Sequence, residues 1–179
     1  LSDSVIQKDK EFYEKYLKLA KGINTTRLSK KNKHHLEVFI SRIKDILEGY
    51  KYPFELLPLE QFNNFVLDFV DMSTGMSFFP LKTVKDFKNL ILKTEDFMDV
   101  IDTSICRMRE GISKNLVFSK TVMKKVVEQL QDIVKSKSYL VKKVPESVEK
   151  EYLNVLDVKL TKKIKELIEF LKKEYIPKC

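Results

Sequence analysis

The sequence predicts an all-α fold, a multi-helix bundle of about six or seven helices that ends in a long C-terminal helix. Apolar residues recur at spacings of three and four, which places them on one side of an α-helix. Only four Gly and five Pro occur, too few for the many turns of an all-β fold. Apolar residues make up 43%, which argues against intrinsic disorder. At 179 residues, the chain is predicted to form one helical domain, residues 1–179.

Two helices are predicted in the first third of the chain. The first runs from about Ser4 to Lys21, and Gly22 suits the left-handed residue that ends a helix. After a polar connector, apolar residues from Leu36 to Leu47 form one face of a second helix, which ends at Gly49. Each helix therefore has one apolar side and one charged side.

An extended connector and a short helix come next. Tyr50–Pro58 contains two prolines, which favour extended backbone in the residues before them. Gln61–Val70 is a short, very apolar run that predicts a helix, and Asp71–Gly75 is predicted to close it as a turn.

Three further helices are predicted in the centre of the chain. Thr83 followed by Asp86 resembles a capping box, with Asp in place of Glu or Gln. Thr94 is predicted to cap the second of these helices, and Asn115 to stop it in a left-handed conformation. Ser119 is predicted to cap the third.

The last and longest helix is predicted from about Ser147 to Tyr175. Its apolar residues recur at steps of three and four, which predicts a packing seam of the kind found in a bundle or a helical hairpin. The members of this seam are Leu153, Leu156, Leu160, Ile164, Leu167 and Leu171.

The net charge of +8 raises the hypothesis of a nucleic-acid partner. The positive charge is nearly all Lys, with only four Arg in the chain, and it is interleaved with acids. Lys lacks the planar fork that makes bidentate contacts to bases and phosphates, so no nucleic-acid partner is predicted. The Lys and His residues at 30–35 could bind phosphate, but a solvated first helical turn is favoured over that interpretation. No apolar run is long enough to span a membrane.

No residue of the chain is predicted to be catalytic or to bind a metal. Cys106 and Cys179 show no metal-ligand spacing, and Cys106 is predicted to pack as a small apolar residue. His34 and His35 are adjacent, so they point about 100° apart on a helix and cannot easily share one metal. An H-E-x-x-H string is absent from the sequence.

Arg107, Arg109, Glu110 and Gly111 form the one short string that looks specific. Arg107 and Glu110 are three residues apart and share a helix face. In one interpretation, the helix holds an Arg and a Glu rigidly to meet a ligand carboxylate or a partner. In the favoured interpretation, they form an ion pair at a helix end, and Gly111 allows close helix packing.

The string Met108-Arg109-Glu110-Gly111-Ile112, ahead of the Val-Val-Glu-Gln-Leu string at 126–130, resembles the mostly bacterial family called domain of unknown function 885. Asn115 and the Ser-Lys pair at 119–120 depart from it, standing where the family tends to have Gly and a Pro-Arg pair. The resemblance covers nearly the whole chain, and its other motifs follow in the expected order. They are Arg27-Leu28-Ser29, the connector from Tyr52-Pro53-Phe54 to Pro58, Phe79-Pro80 with Asp86-Phe87, and Glu174-Tyr175-Ile176-Pro177.

The resemblance implies a zinc metallopeptidase-like protein of the gluzincin type, in which an H-E-x-x-H helix and a downstream Glu bind the metal. It implies that this chain is the N-terminal helical portion of a longer protein and that the zinc site lies beyond Cys179. The expected partners are the rest of the same protein and a peptide substrate. The expected role is non-catalytic: to form one wall and the cover of the substrate cleft.

Two other functions stay open. The chain could be a self-contained helical interaction module whose C-terminal helix offers its seam to a partner. It could also be a basic domain that binds nucleic acid or an anionic surface through its Lys-rich faces. Members of the family that it resembles are often exported, which favours an envelope or secreted location over the cytoplasm.

Overall fold

A computed structural model describes residues 3–76 and 79–179. These residues form six helices and no strand, which confirms the predicted all-α fold. The chain divides into two compact units, Leu1–Phe54 and Glu55–Cys179, and each is described by itself below. The single domain over residues 1–179 stays a prediction.

The first unit is a helical hairpin. Helix α1 spans Asp3–Lys21 and helix α2 spans Lys30–Gly49, close to the predicted limits. Ser29 caps α2, because its side chain accepts a hydrogen bond from the backbone N–H of Asn32 at 3.2 Å. Two helices alone enclose few side chains, and the only buried apolar ones among the described hairpin residues are Ala20 and Ile43.

The second unit contains the remaining helices. Helix α3 spans Phe65–Ser73, α4 spans Val84–Ser113 and α5 spans Lys120–Ser136. The last helix, α6, is one continuous helical segment over residues 146–175, as predicted. Nearly all of the buried apolar side chains of the protein belong to this unit.

The predicted helix break at Thr94 is wrong, because α4 continues through it for 30 residues. The Thr94 side chain is fully buried, and its hydroxyl donates to the backbone carbonyl of Leu90 at 2.7 Å. This hydrogen bond to the preceding turn lets a Thr sit inside a helix without capping one. The capping box of Thr83 and Asp86 at the start of α4 is confirmed.

The predicted limits of α3 are also wrong. The helix begins after Asn64, whose side chain accepts from the backbone N–H of Val66 at 3.1 Å and so acts as the cap. Phe62, which was predicted to lie inside the helix, is 84% exposed in the preceding turn. At the other end the helix runs on to Ser73.

Helices α4 and α6 run parallel, and aromatic contacts join α4 both to α6 and to α3. The ring of Phe87 near the start of α4 meets the ring of Tyr152 near the start of α6, with centroids 5.8 Å apart. Phe69 of α3 stacks on Phe97 of α4 at 4.0 Å. Helix α5 runs antiparallel to both, since Phe118, just before its start, lies at the end of α6.

Helix α6 alternates between two helical geometries. Regular α-helical turns at Glu146–Tyr152 and Thr161–Phe170 alternate with π-helical turns at Leu153–Leu160 and Leu171–Tyr175. A π-helical turn holds more residues than an α-turn, yet the buried side chains continue at steps of three and four through these turns. Leu153 is 41% exposed, because Tyr152 takes the core position in that turn, whereas the other five members of the predicted seam are at most 1% exposed.

The seam of α6 is therefore buried within its own unit, against α4 and α5. The hypothesis that this seam is offered to a partner protein is wrong, because the apolar side chains that would make the contact are already covered. What α6 presents outward is its charged side.

Burial of the seam predicts unequal effects for two substitutions in the same helix. We expect Leu160→Ala to lower the free energy of unfolding by ~2–5 kcal/mol, because it leaves a cavity in a closed core. Leu153→Ala removes the same atoms from a half-exposed site and is expected to cost about 0.5 kcal/mol or less. Urea unfolding of both variants measures the difference, and equal losses would contradict the placement of the seam.

Candidate functional site

The last two turns of α4 carry the specific string that the sequence singled out. Arg107 is half-buried and its Nη1 donates to Glu110 Oε2 at 3.2 Å, so the predicted shared face is confirmed. Glu110 also accepts from Lys114 Nζ at 2.7 Å. The hydrogen bond from Lys114, followed by that from Arg107, holds the pKa of the Glu110 carboxyl below its ordinary value. This part of the string is an ion-pair cluster at a helix end.

Arg109 points away from that cluster and binds α6. Its Nε and Nη2 donate to the two carboxylate oxygens of Glu174 at 2.8 and 2.7 Å, which is the bidentate geometry that fixes a guanidinium plane. The guanidinium also lies 5.2 Å from the ring centroid of Phe170. Both side chains of the ion pair are about half exposed, so the pair is accessible from outside.

Gly111 is buried at a close approach of three chain segments. A Cβ atom at this position would lie 2.7 Å from the carbonyl oxygen of Leu116 and 3.1 Å from that of Leu56. Glycine is therefore required here for backbone packing. The partners are a connector and the turn after α4, where Asn115 has φ 57°, so the predicted left-handed stop is confirmed. Gly111 therefore packs closely against the turn after α4 and against Leu56, the last residue of a short 3-10 helix.

Tyr175 closes the same end of the unit. Its side chain is fully buried, and its hydroxyl accepts a hydrogen bond from the backbone N–H of Phe118 at 3.1 Å. Burial raises the pKa of this hydroxyl. Glu174 and Tyr175 thus hold the end of α6 against the end of α4 and the start of α5.

Three ion pairs connect α4 to α6 along their parallel course. They join Glu95 to Lys159 at 3.2 Å, Asp102 to Lys163 at 2.9 Å, and Arg109 to Glu174 at 2.7 Å. Their α4 members lie seven residues apart, and hence on one helix face. Lys163 also binds Glu166 at 2.9 Å. The first two pairs have the acid on α4, and the third has the base there.

A groove of about 770 Å³ lies between α4 and α6 on this face. Four basic and four acidic side chains line it, together with Ile105, Cys106 and Phe170. The Arg109–Glu174 pair forms part of its wall. The groove is therefore mixed in charge, with a small apolar strip, and suits a ligand that has both polar and apolar groups.

Cys106 lies in this groove and is exposed, so the prediction that it packs as a small apolar residue is wrong. It falls on the outward face of α4, one turn before Arg109, while the neighbouring Ile105 takes the core position. Cys179 is half-buried, and its Sγ lies 3.4 Å from the carbonyl oxygen of Tyr175.

Within residues 3–76 and 79–179, no group of three or more His, Cys, Asp or Glu side chains could hold a metal ion. The zinc that the resemblance implies has no ligand set among them. No helix in the described part of the chain is both long and apolar enough to cross a membrane.

The chain matches a bacterial protein family of unknown function, DUF885, over residues 1–179. It belongs to this family, as the order of its motifs predicted. No curated protein and no solved structure matches it.

Residues from separate family motifs meet at one end of the second unit. Arg109 binds Glu174, and Gly111 packs against the backbone of Leu56 in the connector. The strings themselves are recognisable in the sequence, but their pairing is not, because 65 residues separate Arg109 from Glu174. Phe170, which lies under the guanidinium, was missed altogether, since its spacing resembles that of any apolar residue of α6.

The close approach at Gly111 predicts that even one added methyl is harmful. We expect Gly111→Ala to lower the free energy of unfolding by ~1–3 kcal/mol, because the atoms that it meets are backbone atoms that cannot rotate away. Gly49→Ala is the matched control, since nothing lies within 4 Å of its Cβ position. It should be neutral or stabilising, because Ala favours a helix over Gly. Urea unfolding followed by circular dichroism compares them; a neutral Gly111→Ala would refute the packing.

The Arg109–Glu174 pair predicts a stability difference that depends on pH. Hydrogen bonding to Arg109 lowers the pKa of Glu174 below its ordinary value of 4.5. As pH falls, the Glu174 carboxylate of the unfolded chain is therefore protonated before that of the folded chain. The ion pair stabilises the fold above the unfolded pKa, and this stabilisation is lost as pH falls through the folded pKa. In urea unfolding across this pH range, wild type should exceed Glu174→Gln in unfolding free energy at neutral pH and equal it in acid.

Arg109→Met provides the control for this titration. In that background, Glu174→Gln should no longer change the pH dependence of unfolding, because the partner that lowers the pKa is gone. If Glu174→Gln still changes the pH dependence by the same amount in the Arg109→Met protein, the effect belongs to another neighbour of Glu174.

Proposed function

We propose that this chain is a non-catalytic helical scaffold of a zinc metallopeptidase-like protein and that its α4–α6 groove forms one wall of the substrate cleft. The observation that carries the proposal is the Arg109–Glu174 pair, which holds a guanidinium rigidly in the wall of an open groove. The metallopeptidase class comes from the family resemblance, and the zinc and its ligands belong in this proposal to the part of the protein beyond Cys179.

The groove has the chemistry to bind an extended peptide. Glu174 takes up Nε and Nη2 of Arg109, and an arginine has five N–H donors. The Nη1 edge therefore keeps donors for a peptide carbonyl or a terminal carboxylate. Phe170 and Ile105 line the groove beside it, although most of each side chain is buried in the core. Because Arg109 is fixed before the ligand arrives, little side-chain entropy is lost on binding.

An envelope or secreted location is part of the same proposal, since exported members are common in the family that the chain resembles. An exported peptidase would act on peptides outside the cytoplasm. The remaining part of the same protein is the expected partner of this chain.

The proposal is tested on the parent protein. Its reading frame should continue past Cys179 into an H-E-x-x-H helix, and the purified protein should bind zinc and cleave peptides. Arg109→Met should raise KM for a peptide by roughly ten-fold, the effect of losing one charge-assisted hydrogen bond. Its zinc content should not change, because Arg109 is a wall residue and not a ligand.

Lys143→Met is the matched control, because Lys143 is exposed outside the groove. It should keep both KM and zinc content at wild-type values. A reading frame that stops after Cys179, or that continues without H-E-x-x-H, would overturn the metallopeptidase class. If Arg109→Met keeps its zinc, its activity and an unchanged KM, the α4–α6 groove is not part of the substrate cleft.

A further inference from the structure

The turn of the α1–α2 hairpin carries most of the excess positive charge of the protein. The basic tip, defined as residues 15–36, contains seven Lys and Arg and no Asp or Glu, in a chain of net charge +8. All seven of these side chains are exposed, as are His34 and His35. The rest of the chain is close to neutral by comparison.

The cations of the basic tip have no acidic partners among the residues that the structure describes. None of them forms an ion pair with a described residue, whereas α6 lysines such as Lys163 and Lys173 do. Lys30, Lys31 and Lys33 occupy the first turn of α2, and no acid stands there. The positive end of the helix dipole repels these charges, and they repel one another. The arrangement lowers the stability of the isolated hairpin and is relieved by an external anion.

Apolar side chains stand exposed beside these charges. Leu19 is 57% exposed, Ile23 is 47% exposed and Tyr16 is 39% exposed. Leu19 lies in the last turn of α1 between Lys18 and Lys21. Aliphatic groups among lysines, with a tyrosine at their edge, are the composition of a surface that enters a lipid headgroup layer.

We propose that the basic tip docks on a membrane surface rich in anionic lipid headgroups. The cations bind the headgroups, and Leu19 and Ile23 reach the boundary of the acyl chains. A nucleic acid is the less suitable partner, because six of the seven cations are Lys and aliphatic side chains gain nothing from a phosphate backbone. The proposal rests on the hairpin alone and is independent of the function of the α4–α6 groove.

The test is co-sedimentation of the full chain with vesicles of phosphatidylglycerol and phosphatidylcholine in equal parts. Binding is expected to these vesicles and not to pure phosphatidylcholine, and added salt should weaken it. Lys30→Glu with Lys31→Glu should weaken binding by at least about 30-fold, since each basic residue near an anionic surface contributes about five-fold and each new carboxylate is repelled by it. Acidic side chains in the first turn of α2 interact favourably with the positive end of the helix dipole, so this variant should remain folded.

Two further variants separate the alternatives. Lys142→Glu with Lys143→Glu makes the same charge change at exposed positions outside the tip and should bind vesicles like wild type. Leu19→Ser with Ile23→Ser should weaken vesicle binding while retention on heparin stays unchanged. Equal losses in the two charge variants would overturn the tip as the site. If the Leu19→Ser, Ile23→Ser variant binds vesicles as wild type does, and the wild-type chain binds duplex DNA more tightly than it binds vesicles, the basic tip is a nucleic-acid site instead.

Discussion

The second unit depends on the burial of α6 along α4. Two parallel helices cannot be joined by a short turn, so the chain must leave the end of α4, return through α5 and begin α6 beside the start of α4. Apolar contact from Tyr152 to Leu171 supplies most of the stabilisation. The three ion pairs are at least partly exposed and add little stability each, but all three form together in the observed register of the two helices.

This register explains why the specific string of the sequence stands where it does. The end of α4 has to meet the end of α6, and both have to leave room for the connector that passes beneath them. Gly111 provides the room, and Arg109 and Tyr175 provide the two polar contacts that hold the end together. A string that looks like a ligand site in sequence is thus largely required by the fold, and only the outward edge of Arg109 remains for a ligand.

The sequence predicted the features that depend on residues close together in the chain, and it did not predict contacts between residues far apart in it. The capping box that begins at Thr83 and the left-handed Asn115 depend on neighbours within a few residues, and both were predicted correctly. Thr94 is ambiguous locally, since the same hydroxyl can cap a helix or bond to the turn before it. Leu153 and Tyr152 both fit the apolar spacing of α6, and only the structure shows that Tyr152 takes the core position in that turn. The partner of Arg109 lies 65 residues away, beyond any pattern of spacing.

Positive charge is distributed differently in the basic tip and in α6, and this contrast shows where the excess charge of the chain lies. In α6 of the second unit, Lys159, Lys163 and Lys173 are paired with acids on α4 or on α6 itself, and acids are interleaved with the other lysines of the helix. Sequence interleaving predicted that outcome for the whole chain, and it holds there. It fails between residues 15 and 36, where acids are absent and the cations remain exposed beside aliphatic side chains. The net charge of the chain does not show where the excess positive charge lies. Its position follows from the absence of Asp and Glu between residues 15 and 36.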